Sequence, residues 1–176
     1  MAVFISRRHA CHQRKLVHHL RGRNPILNGE PGVTSEEVEK HITARMERQS
    51  ILRRPKPPML WAVLDEGVLH RPIGSPAVMA AQLAHLLDVG TTPRITIQFL
   101  PLRAYSTTGL LGGFAIAEAH GSPDTAYVEG ASNAQVTDWT ESVKTLTFRY
   151  EGIRSEALPW RESLDLIKET MQRWTS

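Results

Sequence analysis

The chain has 176 residues, a mass of 19.7 kDa, an apolar fraction of 41% and a mean hydropathy of −0.28. These values suit one domain and exclude both a membrane-embedded chain and a disordered one. The longest unbroken apolar run, Met59 to Leu64, falls far short of a bilayer span, and Met1 to Ile5 is too short for a signal peptide. The single cysteine, Cys11, has no internal disulfide partner, which points to the cytoplasm.

Charge is unevenly placed. The net value of +3 comes from 21 Lys and Arg against 18 Asp and Glu. Six of the basic residues, Arg7, Arg8, Arg14, Lys15, Arg21 and Arg23, lie within residues 1–23, where there is no acid; the remainder holds 15 basic against 18 acidic residues, or −3. A basic stretch attracts phosphates without reading sequence. A nucleic-acid surface normally extends over the folded body as well, so residues 1–32 read as a basic, His-rich arm or linker. His9, Cys11, His12, His18 and His19 crowd together there without the two spaced pairs that a structural zinc needs, and no metal is expected.

Beyond the breakers Asn24, Pro25, Asn28, Gly29, Pro31 and Gly32, the first helix starts at Thr34. Thr34 and Glu37 form a capping box, with Val33 and Val38 placed as a hydrophobic staple. Val38, Ile42, Met46, Ile51 and Leu52 supply the apolar stripe, and Pro55, Pro57 and Pro58 stop the helix. Met59 to Asp65 reads as a buried strand that continues over Val68 to Arg71 after a bend at Gly67. Ser75 and Pro76 open a second helix whose core face is Met79, Leu83, Leu86 and Leu87, with Gln82, His85 and Asp88 turned away; Gly90 ends it. Arg94 to Leu100 is a β-branched strand, and residues 101–113 form a long polar loop of the kind that often carries function.

Phe114 to Glu118 and Thr125 to Glu129 read as a hairpin. Two helices follow, roughly Val136 to Ile153 and Pro159 to Trp174. The four tryptophans, Trp61, Trp139, Trp160 and Trp174, read as core anchors. The element order implies an α+β (mixed α/β) domain over residues 33–174. Its expected architecture is a small mixed or antiparallel sheet of about four to five strands, flanked by helices, two of them at the C-terminus.

No phosphate loop, serine elbow or activated cysteine is present. One constellation carries chemistry: His70 and Arg71 after the first strand, the hydroxyl cluster Tyr105 to Thr108, and Glu129 at the end of the hairpin. Glu129 is expected to share a face with Phe114, Ile116 and Tyr127, where its carboxylate would be held by Arg71 or become protonated. This order resembles the Arg-Ser-Glu layout of ADP-ribosyltransferases, which implies an NAD-using transferase built on Arg71 and Glu129. The ordinary alternative is an Arg–Glu pair at a sheet edge.

A longer resemblance covers roughly residues 33–174. It rests on Val33-Thr-Ser-Glu-Glu-Val-Glu39 to Ile51-Leu-Arg-Arg-Pro55, on Leu60-Trp-Ala-Val-Leu-Asp-Glu-Gly-Val-Leu-His-Arg-Pro-Ile-Gly74, and on Ile95-Thr-Ile-Gln-Phe-Leu-Pro101. Gly113-Phe-Ala-Ile116 and Tyr127-Val-Glu-Gly130 complete it. The chain resembles the uncharacterised C-terminal effector domain (domain of unknown function 5753) of actinobacterial antitoxin-like helix-turn-helix regulators of the XRE type. Residues 1–32 do not look like the DNA-binding helix-turn-helix of such regulators, so no recognition helix is placed. The resemblance implies a non-enzymatic regulatory module without cofactor or membrane, and without sequence-specific nucleic-acid binding of its own. Its partners would be a small toxin-like protein, a small-molecule ligand or a second copy. Asp65, Arg71 and Glu129 are the residues expected to contact ligand or partner.

Overall fold

A computed structural model describes residues 2–6, 32, 34–106, 111–118, 121–129 and 134–175. The His and Cys group of residues 9–19, Val33, Thr107, Thr108 and Gly130 lie outside them. Thr34 caps α1 (Ser35–Gln49) as its sequence dictates. The Glu37 N–H donates to Thr34 Oγ1 at 3.3 Å, and the Thr34 N–H donates back to Glu37 Oε2 at 2.8 Å. A short 3-10 turn over Ser50–Arg53 follows, then the proline run.

The centre of the fold is a six-stranded mixed sheet in the order β3-β2-β1-β4-β5-β6. The strands are β1 (Ala2–Ser6), β2 (Met59–Asp65), β3 (Ile95–Leu100), β4 (Phe114–Glu118), β5 (Thr125–Glu129) and β6 (Ala134–Thr137). β2 and β3 run parallel, joined by α3 (Pro76–Gly90), while β4, β5 and β6 form an antiparallel meander. β1 links the two parts, antiparallel to β2 and parallel to β4. It comes from the segment that the sequence places in the arm.

Helices cover both faces. α3 and α5 (Trp160–Thr175) pack on the face carrying Leu60, Ala62, Leu64, Ile95, Ile97 and Phe99. α4 (Thr140–Ser155) lays Val143, Leu146, Tyr150 and Ile153 on the other, against Val63, Leu100, Phe114, Ile116 and Ala126. Alternation along each strand produces this division. The outer edge of β3 is closed by the turn into α5: the Leu158 N–H donates to Phe99 O at 2.8 Å, and the Phe99 N–H to Ser163 Oγ at 3.1 Å. The α+β class and the two C-terminal helices therefore stand as expected.

Several local expectations are corrected. Residues 68–71 do not extend β2; Gly67–His70 form one helical turn, α2, because the Asp65 carboxylate takes the Gly67 N–H at 2.7 Å and turns the chain. The helix expected from Val136 starts at Thr140, since Ala134–Thr137 pair with β5. Gln82 is buried in α3 at 7% exposure instead of facing away, and Trp139 is 68% exposed at the α4 N-cap instead of anchoring the core.

Candidate functional site

Strand directions gather the ends of β2, β3 and β5 and the starts of β4 and β6 along one margin of the sheet. Asp65, Leu100, Phe114, Glu129 and Ala134 mark that margin. In open sheets the crevice beyond the carboxyl ends of parallel strands is the usual ligand position. Here α2 and the loop starting at Pro101 stand over it.

Three acidic side chains hold this margin in shape. Asp65 Oδ1 accepts the Gly67 N–H, fixing the turn into α2. Glu66 Oε2 accepts the Leu102 N–H at 2.9 Å, tying α2 to the loop after β3, while Glu66 Oε1 lies 3.5 Å from His70 Nε2. The Glu66 N–H donates to Leu100 O at 2.9 Å. From the other side, Glu156 Oε2 accepts the Tyr105 N–H at 2.7 Å, so the loop is anchored at two points by carboxylates. Glu66 is thus a principal brace. Its signal was a second acid directly before Gly67.

Two of the three residues expected to contact a ligand, Asp65 and Glu129, stand on opposite faces of the sheet. Asp65 lies on the face of Trp61 and Val63, toward α4, by strand alternation. Glu129 shares its face with Tyr127, Ala115 and Ala117, the opposite one, because Phe114 pairs with Val128 and Ile116 with Ala126. The expectation that Glu129 sits with Phe114 and Ile116 is therefore one residue out of register, which moves a side chain to the other face. β2 and β5 are three strand intervals apart, or ~14 Å. Arg71 is exposed just after α2, and among the described residues no ion pair joins it to Glu129.

The margin is instead marked by exposed apolar side chains. Val68 on α2, Leu102 and Tyr105 at the start of the loop, and Leu111 at its end are 37%, 67%, 94% and 70% exposed. All four belong to the segments that follow or precede the strand ends at this margin, and apolar side chains that gather on an exposed surface mark an interaction site. Behind them α2 is fixed to the body: Leu69 is buried, and its carbonyl accepts the Trp174 indole N–H at 3.0 Å. Among the described residues, no three His, Cys, Asp or Glu side chains cluster so as to hold a metal ion, and no helix is long and apolar enough to cross a membrane.

No curated protein and no solved structure matches the chain. One family model does, over residues 23–169, a span that takes in every element from α1 to most of α5. The chain belongs to the family described as Domain of unknown function (DUF5753).

Proposed function

We propose that this domain is a cytoplasmic, non-enzymatic effector module of an actinobacterial antitoxin-like transcriptional regulator, and that it receives a small toxin-like partner protein on the margin formed by α2 and the loop after β3. The observation that carries this reading is the exposed set Val68, Leu102, Tyr105 and Leu111 on a braced backbone. Aromatic and aliphatic anchors on a pre-ordered surface supply most of the energy of a protein interface. Arg71 adds a charge beside them that is available to a partner's carboxylate. Asp65 acts by shaping the turn, and Glu129 stands at the far side of the same margin.

The alternative is an NAD-using transferase built on Arg71 and Glu129. Arg71 and Glu129 form no ion pair among the described residues, which favours the binding role, since an enzyme of that layout needs them to converge on one solvent-open pocket. The test uses the full chain and the small protein encoded beside its gene, with calorimetric titration as the readout. Leu102→Asp and Tyr105→Asp, each at an exposed position, are expected to weaken the complex by about 2 kcal/mol or more while leaving the circular dichroism unchanged. Equal affinity in both variants overturns this surface. Consumption of NAD by the native chain that Glu129→Gln abolishes would establish the transferase instead.

A further inference from the structure

At the opposite margin of the sheet lies a cavity of about 350 Å³, lined by Pro123, Asp124, Asp138, Val143, Lys144 and Phe148, with Thr140 and Thr147 beside them. Its walls follow from the register. Ala126 pairs with Thr137, so continuing the ladder sets Asp138 beside Thr125, next to Asp124. Val143 and Thr147, and likewise Lys144 and Phe148, are four residues apart and so lie along one side of α4. The lining thus combines two carboxylates and an ammonium with the apolar side chains of Pro123, Val143 and Phe148.

None of these three charges is used by the fold. Asp124 and Asp138 are exposed, and neither their side chains nor that of Lys144 enter an ion pair or hydrogen bond among the described residues. Glu141, one turn before Lys144, is not paired with it either. Phe148 is 70% exposed at the rim although it sits on the helix that carries Val143, Leu146 and Tyr150 into the core. The volume lies at the small end of cavities that hold low-molecular-weight ligands.

We propose that this cavity binds a free α-amino acid with an apolar side chain. The ligand's ammonium group lies against Asp124 and Asp138, its carboxylate against Lys144, and its side chain on Pro123, Val143 and Phe148. A zwitterion satisfies charges of both signs, and the apolar lining gives its side chain somewhere to be buried. The site is separate from the partner surface, so either reading survives the failure of the other.

The test titrates the isotope-labelled full chain with L-leucine by NMR, alongside isoamylamine, which lacks the carboxylate, and 4-methylpentanoate, which lacks the ammonium. Saturable shifts confined to residues 123–148 are expected for L-leucine, with each analogue about tenfold weaker or more. Asp138→Asn and Lys144→Ala, both at exposed positions, should each weaken L-leucine by about tenfold while preserving the spectrum of the rest of the chain. No saturable shift, shifts outside this region, or an amine or acid that binds as well as L-leucine overturns the proposal.

Discussion

Tyr150 is 2% exposed on α4, between the helix and the sheet face of Phe114 and Ile116. Burial pushes its phenol up to about 12, against a smaller lowering by the Arg154 charge and a further rise from Glu151. In the unfolded chain the group titrates near its ordinary 10.0, so between the two values the unfolded chain sheds a proton that the folded chain keeps. Folding stability contributed by this group is therefore complete below pH 10.0, falls as pH rises toward about 12, and is flat above. The loss across that window is of the order of 3 kcal/mol. Denaturant midpoints of the native chain and Tyr150→Phe at about pH 9 and about pH 11.5 check this, because the variant lacks the linkage and should lose less stability over the interval. A comparable fall in both proteins would assign the alkaline sensitivity to other groups.

Between elements, α3 and α5 meet closely at Gly90. A Cβ added at Gly90 would stand 2.9 Å from Leu164 Cδ2 and 3.6 Å from Ile97 Cδ1, and the Gly90 carbonyl accepts the Trp160 indole N–H at 3.0 Å. This glycine therefore serves helix-to-helix contact rather than a left-handed cap; it is the last helical residue of α3. Gly90→Ala should cost about 1–3 kcal/mol by overpacking, in spite of alanine's better helix propensity. Gly152→Ala, in α4 with nothing within 4 Å, should stabilise by up to about 1 kcal/mol. Thermal unfolding of the two variants checks the opposite signs. The same elements show what the sequence could reveal. Capping at Thr34 and Ser75 was legible because the cap and its partner lie three residues apart, and both bonds are present. β2 was legible from its short apolar run, and β3 from alternation and β-branching; the hairpin was legible as well. What failed depended on tertiary choices. α2 exists because one Asp65 oxygen closes a turn, and β6 because four residues found an edge to pair with. The candidate margin was half legible: its loop and Asp65 were marked, but the face of Glu129 turned on a hairpin register that residue types alone do not set.

At the scale of the whole molecule, the architecture depends on a strand of five residues. β1 lies between β2 and β4, and pairs along its whole length with both. The family match begins at residue 23, so the strand that joins the parallel part of the sheet to the meander lies outside the matched span. It was not legible because a basic run follows it directly, and composition assigned the whole segment to an arm. Physically, removing it would leave β2 and β4 with facing rows of unpaired N–H and C=O groups between two helix-covered faces, where water cannot readily replace the lost partners. Phe4 pairs with Trp61 on one side and Ile116 on the other, so Phe4→Pro would remove a ladder donor and force the ring against a neighbouring strand. Phe4→Ala keeps the backbone donor and serves as the reference for the lost side chain. Proline is expected to cost about 3 kcal/mol more than alanine in chemical denaturation, and to protect fewer β2 and β4 amides from hydrogen exchange. If the two variants unfold alike, with β2 and β4 protected in both, β1 does not hold the sheet together and the two parts are each sustained by their own helices.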